Sequence, residues 1–147
     1  METGRLKFCR INLEKTNYRP VKNFKILSKP DYDQLNRIYY DYCTYHGFNS
    51  VIPLYPEDLE STIFGYYDEG ELVAWSMQLE YQSSRVVHND QFAWNYKNPK
   101  LTLGIRSIRN ECAYYKKLGY RYMYLQQFSE YKTNFQGFEI CGPAEFD

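Results

Sequence analysis

Residues 92–125 read FAWNYKNPKLTLGIRSIRNECAYYKKLGYRYMYL and are the most informative part of the chain. It starts as an aromatic strand, breaks at Pro99, turns at Gly104 into a long amphipathic helix and ends in a second aromatic strand, Tyr120–Leu125. Strand, helix and strand in this order form a βαβ unit. The first backbone amides of its helix lack partners and lie at the positive end of the helix dipole. The corner is therefore expected to hold a phosphate of a carrier molecule, which favours a transfer enzyme over a purely structural domain.

The helix within this stretch is predicted over about residues 101–118. Its apolar positions step by four, three, four and three residues, which is the spacing of a stripe that faces a core. These positions are Leu101, Ile105, Ile108, Cys112 and Tyr115. Cys112 is accordingly predicted to be a small core residue, and Gly119 is predicted to end the helix.

The remaining sequence supplies further strands and one more long helix. The helix is expected to begin at Ser28–Asp31, which offers a capping residue and an early proline, and to end at Gly47. A loop is predicted at Val51–Tyr55, followed by a short helix from Pro56, and Asp68–Gly70 is typical of a hairpin turn. Strands are predicted at Leu6–Ile11, Phe24–Leu27, Thr62–Tyr67, Leu72–Tyr81, Val86–Tyr96, Tyr120–Phe128 and Phe135–Cys141.

Composition and charge narrow the class of protein. The chain has 147 residues, of which 44% are hydrophobic and 24% charged, so residues 1–147 are predicted to form one folded domain. Lysine plus arginine and aspartate plus glutamate both number 18, and zero net charge gives no overall attraction to nucleic acid or anionic membranes. No apolar run could span a bilayer, and Met1–Arg10 lacks the apolar run of a signal peptide. The four cysteines lack metal-site spacing. We expect a cytoplasmic protein with reduced thiols, no metal and no membrane partner.

The order of these elements, β-α-α-β-β-β-α-β-(short helix)-β, resembles that of the GNAT acyltransferases. The resemblance implies an α+β fold with a mixed, mostly antiparallel sheet and helices on both faces. It also implies that two parallel central strands, here Val86–Tyr96 and Tyr120–Phe128, splay apart. In that family a pantetheine-bearing donor, acetyl-CoA or another acyl-CoA, inserts between those strands, with its pyrophosphate on the loop that begins the central helix.

The second half of the chain also resembles the arginyl- and leucyl-tRNA–protein transferases. Those enzymes share, in the same order, an aromatic strand, a turn with proline, a Leu-Gly helix start, a Tyr-Leu strand end and a Tyr-Lys pair with a downstream phenylalanine. The matching segments are Phe92–Tyr96, Asn98-Pro99, Leu103-Gly104, Tyr122–Leu125 and Tyr131–Phe135. This resemblance implies aminoacyl-tRNA as an alternative donor, tRNA as a partner and a protein N-terminus as the acceptor.

A second alignment with the GNAT pattern is open. Residues 113–120, AYYKKLGY, resemble the GNAT segment that ends in Tyr-x-x-Leu-Gly-Phe, and in that alignment Tyr115 would be the general acid. It leaves no helix upstream to bind the donor, because Val86–Asn98 is predicted to be a strand. We therefore favour the first alignment.

The first alignment gives the expected donor site. It comprises Trp94, Leu103, Gly104, Ile105 and Arg106. An alternative is that Gly104 merely lets the helix start close to the sheet. The loop keeps one glycine where the GNAT pattern usually has more, so fewer amides reach a phosphate without steric cost.

Proton transfer needs an acid for the leaving group and a base for the amine. Tyr131 is the acid candidate because it follows the second splayed strand. His88, Asp90 and Glu80 are the base candidates. For His88 a satisfied polar residue near a strand start is favoured over catalysis, and Glu80 is most simply a solvated charge. Three aromatic side chains of the strands either line an acceptor pocket or belong to the core: Trp75, Phe92 and Trp94. Four basic side chains around the helix start either contact phosphates or tRNA or are simply solvated: Lys97, Lys100, Arg106 and Arg109.

Two functions follow as hypotheses. The first is an N-acyltransferase that moves an acetyl or aminoacyl group directly from an activated carrier to the amine of a small molecule or a protein N-terminus. The second is a catalytically silent GNAT-like binding or assembly module. A homodimer is compatible with both.

Overall fold

The structure is a computed structural model that describes residues 8–48, 54–127 and 129–141. Residues 51–53 of the predicted loop, Leu6 and Phe128 lie outside these ranges. Seven strands and two α-helices are described: β1 (Phe8–Asn12), β2 (Phe24–Ile26), α1 (Tyr32–His46), β3 (Thr62–Asp68), β4 (Glu71–Tyr81), β5 (Val86–Trp94), α2 (Leu103–Lys117), β6 (Tyr122–Gln127) and β7 (Phe138–Ile140). Three-ten turns cover Leu13–Lys15, Pro56–Glu60, Pro99–Leu101 and Glu130–Asn134.

The strands form a single sheet with the order β2-β3-β4-β5-β6-β1-β7. Strands β5 and β6 are parallel, whereas β1 pairs antiparallel with both β6 and β7, and β3 pairs antiparallel with both β2 and β4. This arrangement confirms the predicted α+β class with a mixed, mostly antiparallel sheet. It also favours the first alignment, because Val86–Trp94 is a strand and α2 is the helix that follows it.

The parallel pairing of β5 and β6 covers only their first part. The paired positions run from Val86 opposite Tyr122 to His88 opposite Tyr124, whereas β5 continues to Trp94 and β6 to Gln127. Beyond these pairs, Gln126 has a left-handed backbone (φ 63°), and its Nε2 donates to the Asp90 carbonyl at 2.7 Å. On its other side β6 shifts register against β1 near the same point. Beyond the paired positions a side-chain hydrogen bond joins β6 to β5, and a β-bulge interrupts the pairing of β6 with β1.

The chain divides into two compact units, of which the first comprises the described parts of residues 1–20, 79–90 and 109–147. Its fully buried side chains come mainly from β1, β5, α2 and β6. Examples are Cys9, Ile11, Val87, Cys112, Tyr115 and Met123. Cys112 is therefore the core residue that its helical position predicted. The expectation of one domain stays a prediction.

The second unit comprises the described parts of residues 21–78 and 91–108. Its core forms where one side of α1 packs on β3, β4 and the end of β5. The core residues are Leu35, Ile38, Tyr39, Cys43, Leu54, Ile63, Leu72, Trp75, Met77 and Ala93. Trp75 is fully buried and donates from Nε1 to the Leu35 carbonyl at 2.9 Å, so it is a core residue rather than part of an acceptor pocket.

Helix α1 has the ends that its sequence predicts. The Asp31 side chain accepts hydrogen bonds from the amides of Asp33 and Gln34, and Gly47 (φ 67°) ends the helix in a left-handed conformation. Neither α1 nor α2 combines the length and apolar character needed to cross a bilayer, as judged over the described ranges.

Candidate functional site

The start of α2 presents two backbone amides that have no acceptor in the described part of the chain. The three-ten turn Pro99–Leu101 leads into Thr102, which is left-handed (φ 47°, ψ 46°), and the helix begins at the next residue. The Thr102 carbonyl accepts from the amides of Ile105 and Arg106 at 3.2 and 3.1 Å. The amides of Leu103 and Gly104 then have no acceptor within residues 8–48, 54–127 and 129–141. Such amides at a helix start attract anions.

Gly104 leaves free space over this first turn. A Cβ built at Gly104 meets no atom within 4 Å, and the backbone there is not left-handed. Neither close packing nor backbone strain therefore requires a glycine, and the alternative that Gly104 allows the helix to approach the sheet is wrong. The open space is what a ligand would need in order to approach the Leu103 and Gly104 amides.

Trp94 carries a buried hydrogen-bond donor. Its side chain is 5% exposed, and its Nε1 has no acceptor in the described part of the chain. The ring centroid lies 4.3 Å from that of Tyr96, at the end of the strand that leads to α2. Leaving a buried N–H without a partner costs about 1–3 kcal/mol, so an acceptor atom supplied by a ligand would be stabilising here.

The other side chains expected at the helix start differ in their exposure and in their ion pairing. Arg106 and Lys100 are exposed, whereas Lys97 forms a salt bridge with Glu71 at 2.6 Å. Ile105 is 39% exposed, so its assignment to the core-facing stripe is wrong. The stripe fails there because the helix begins only at Leu103, which takes the buried position in the first turn.

His46 and Tyr96 form a hydrogen-bonded pair that the sequence did not suggest. The His46 Nε2 and the Tyr96 hydroxyl are 2.7 Å apart. The Tyr96 ring is stacked on Tyr45 at 3.7 Å and near-parallel to Tyr42 at 6.1 Å. Burial raises the pKa of Tyr96 to about 12, so its hydroxyl keeps its proton at neutral pH. Helical spacing places His46 in the last turn of α1, but no sequence pattern shows that it meets Tyr96.

His88 lies in the first unit, packed between two aromatic rings. Its ring centroid is 5.1 Å from those of both Tyr81 and Tyr124. Burial lowers the pKa of His88 below its usual value, and the nearby Asp90 opposes that shift only in part. The imidazole is therefore neutral at pH 7 and able to accept a proton. Asp90 is half-buried and accepts from Gln126.

Tyr131 lies in the three-ten turn Glu130–Asn134, also in the first unit. It is 50% exposed, and its hydroxyl has no hydrogen-bond partner among the residues that the structure describes. Partial burial raises the pKa of Tyr131, so its hydroxyl stays protonated and able to donate a proton.

Glu80 and Tyr115 form a second polar pair in the first unit. The Tyr115 hydroxyl donates to the Glu80 carboxylate at 2.6 Å. Glu80 is half-buried, so the interpretation of it as a solvated charge is wrong. Tyr115 is fully buried, and burial together with Glu80 raises its pKa strongly. These features suit a structural hydrogen bond better than a general acid that a substrate must reach.

The predicted residues thus fall into two groups. Trp94, Leu103, Gly104, Ile105 and Arg106 lie in the second unit, whereas His88, Asp90 and Tyr131 lie in the first unit. Across the described ranges, no three His, Cys, Asp or Glu side chains are close enough to hold a metal ion.

The overall structure is similar to solved GNAT-fold proteins. A GCN5-related N-acetyltransferase from Kribbella flavida matches with a TM-score of 0.63 and 12% identity, over 96% of this chain and 56% of that one. L-PGS from Bacillus licheniformis matches with a TM-score of 0.65 and 15% identity, over 86% and 46%. The C-terminal DUF2156 domain of an Agrobacterium fabrum protein, named as a lysylphosphatidylglycerol synthetase, gives 0.69 and 12%, over 83% and 46%.

These matches show that the chain has a GNAT-like fold. The chain spans about half the length of the first of them. No protein-family model matches the sequence, and no curated protein sequence matches it either. The resemblance to tRNA–protein transferases stays a prediction.

Proposed function

We propose that the protein transfers an acyl group from a phosphate-bearing carrier to an amine. The observation that carries the proposal is the start of α2, where the Leu103 and Gly104 amides lack acceptors and Gly104 leaves open space among the described residues. The GNAT-like fold, whose solved examples include N-acetyltransferases, supports the same reaction class. An acyl-CoA, such as acetyl-CoA, fits these features because its pyrophosphate is an anion of suitable size for a helix start.

The residues of the second unit would hold the donor in distinct ways. The Leu103 and Gly104 amides would donate to phosphate oxygens, and the exposed side chains of Arg106 and Lys100 would add positive charge. Trp94 Nε1 would donate to a carbonyl oxygen of the carrier, which would satisfy its buried N–H.

Transfer from a thioester requires the attacking amine to lose a proton and the departing thiolate to gain one. His88 and Asp90 remain proposals for the acceptance of the first proton, and neutral His88 suits that role. Tyr131 remains the proposal for the donation of the second proton, because its raised pKa keeps its hydroxyl protonated.

Calorimetric titration with acetyl-CoA tests the proposal, with Gly104→Asp as the informative variant. A carboxylate in the first turn repels a phosphate, yet it favours the helix dipole and therefore preserves the fold. We expect the unmodified protein to bind and Gly104→Asp to weaken binding at least about tenfold, or 1.4 kcal/mol.

Gln34→Glu is the matched control, since it places an acid in the first turn of α1. It should leave acetyl-CoA affinity unchanged. Absence of binding by the unmodified protein, or equal affinity of Gly104→Asp, would contradict an acyl-CoA donor. A titration with a charged tRNA then decides whether an aminoacyl carrier takes its place.

A further inference from the structure

We infer that the acceptor is a primary amine with an uncharged, apolar body, which lies in a groove along α1 while its ammonium group meets the Tyr96 hydroxyl. This inference rests on the proposed acyl transfer. It names the class of amine and the residues that receive it, all within the second unit.

The groove has the size and the chemistry of a small-molecule site. Its volume is about 470 Å³, within the roughly 300–1,000 Å³ of typical ligand pockets. Tyr39 and Cys43, which belong to the buried core, line it together with the more exposed Tyr40, Thr44 and Phe48. Among the described residues, no charged side chain lines the groove, so a charged body would lose hydration there without gaining an ion pair.

Two large side chains of the groove are left unusually open to solvent. Tyr40 is 71% exposed and Phe48 is 50% exposed, although both are large and hydrophobic. Grouped exposed aromatic side chains beside a cavity are typical of binding sites. An aromatic or aliphatic amine body would cover them, which accounts for their exposure in the free protein.

The groove adjoins the His46–Tyr96 pair through Phe48. The Phe48 ring stacks on the imidazole of His46 with centroids 5.2 Å apart, and His46 in turn bonds to the Tyr96 hydroxyl. An amine whose body packs on Phe48 therefore has a hydrogen-bonding pair within a short distance. Tyr96 is fixed in place by a left-handed backbone (φ 60°) and by its stack on Tyr45.

The pair can take the proton that an amine must lose, in place of His88 and Asp90. Because Tyr96 is protonated at neutral pH, its hydroxyl donates to the His46 Nε2 in the tautomer that carries its hydrogen on Nδ1. An ammonium N–H bonded to the Tyr96 oxygen can pass its proton to that oxygen as the original hydroxyl proton moves to Nε2. The products are a neutral amine, an unchanged tyrosine and an imidazolium. His46 lies in the last turn of α1, where the helix dipole stabilises a positive charge.

The groove is tested by Thr44→Arg, with Asp41→Arg as the matched control. Both residues are exposed on α1, and arginine favours a helix, but only Thr44 lines the groove. With 2-phenylethylamine as the acceptor and acetyl-CoA as the donor, we expect Thr44→Arg to raise the amine KM at least about tenfold with kcat unchanged. An unchanged KM, or 2-phenylethylamine used no better than ethylamine, would overturn the inference.

Calorimetric titration of 2-phenylethylamine without any donor separates this inference from the proposed function. Binding that Thr44→Arg abolishes supports the groove even where acetyl-CoA does not bind. Normal acetyl-CoA binding with no amine binding, either free or in the donor complex, rejects the groove and leaves the donor site standing.

The proton path is tested by Tyr96→Phe, which keeps the ring and its stacking, and by His46→Gln. Both variants should lower kcat about 100-fold, the usual contribution of a positioned acid or base. The KM for the amine should stay unchanged in His46→Gln and rise in Tyr96→Phe, which also removes the hydroxyl that the ammonium group meets. A rise in KM with normal kcat would show that the pair only shapes the groove and would reject the path.

Discussion

Thr102 has a backbone conformation that a β-branched residue normally avoids. Its φ of 47° and ψ of 46° are left-handed, which costs roughly 1–2 kcal/mol for an L-residue. Tyr96, six residues earlier, is also left-handed. Strained residues persist where the surrounding structure fixes them, and they are frequent at functional sites. Tyr96 and Thr102 lie on either side of Pro99 and of the turn that sets the direction of the first amides of α2.

Replacing Thr102 by glycine should relieve this strain. We expect Thr102→Gly to raise the free energy of unfolding by about 1 kcal/mol, because glycine adopts left-handed angles without steric cost. The same change at Thr44, inside α1, should instead lower it by up to about 1 kcal/mol. Urea unfolding measures both, and a destabilised Thr102→Gly would show that the threonine side chain itself holds the turn.

His88 should make stability depend on pH in a defined direction. Its pKa is lower in the folded chain than in the unfolded chain, because burial disfavours the imidazolium. Between those two pKa values the unfolded state binds more protons, so stability falls as pH drops below the unfolded value of about 6.5.

The variant His88→Gln removes this dependence. Urea unfolding at several values from pH 7.5 to 5 should therefore show a smaller loss of stability in His88→Gln than in the unmodified protein. Equal losses in the two proteins would mean that His88 is not kept neutral by the fold.

At the scale of elements, the β7 connection depends on one glycine. Gly137 is left-handed (φ 71°), its carbonyl accepts from the Asn12 amide at 2.8 Å, and a Cβ there would clash with the Asn12 carbonyl. That carbonyl belongs to the backbone of β1, which is paired on both sides and cannot move freely.

Gly137→Ala should therefore lower the free energy of unfolding by more than the left-handed conformation alone would. We expect the free energy of unfolding to fall by about 3 kcal/mol or more, compared with about 1 kcal/mol for Gly47→Ala, where φ is similar but a Cβ meets none of the described residues within 4 Å. Thermal or urea unfolding of the pair isolates the clash. Similar losses in both variants would show that β1 adjusts its backbone to accommodate the methyl group.

The elements themselves were largely predictable from the sequence. Periodicity placed Ile108, Cys112 and Tyr115 on the buried side of α2, and Gly119 ends it. The start of α2 was less predictable, since a three-ten turn and a left-handed threonine have no strong sequence signal, and this moved Ile105 into solvent.

Pairs of distant residues were not predictable. His46 and Tyr96 meet across 50 positions, and Glu80 and Tyr115 across 35. Periodicity assigns a residue to a face of its own element, but it does not say which residue of another element lies opposite. Hence the start of α2 was predicted as a donor site from its local pattern, whereas the His46–Tyr96 pair required the structure.

At the scale of the whole molecule, the chain has zero net charge. Long-range attraction therefore contributes little to the binding of an anionic donor, and affinity must come from local groups. Arg106, in the first turn of α2, is the exposed cation closest in sequence to the Leu103 and Gly104 amides.

Reversing one charge at a time separates the local effect of Arg106 on acetyl-CoA binding from the effect of net charge. Arg106→Glu should weaken acetyl-CoA binding about tenfold, whereas Arg37→Glu, an exposed site on α1, changes net charge equally and should leave affinity unchanged. Calorimetry at one fixed salt concentration makes the comparison. Equal weakening by both variants would mean that net charge, not the start of α2, governs binding.

The first amides of α2 are proposed to bind the donor's phosphates. A ¹⁵N-resolved NMR titration with coenzyme A observes those amides directly. We predict that the Leu103 and Gly104 resonances shift and saturate together, as expected for N–H groups that gain a phosphate acceptor. Saturation of other resonances while these two stay fixed, or no shift anywhere in the spectrum, would contradict the account.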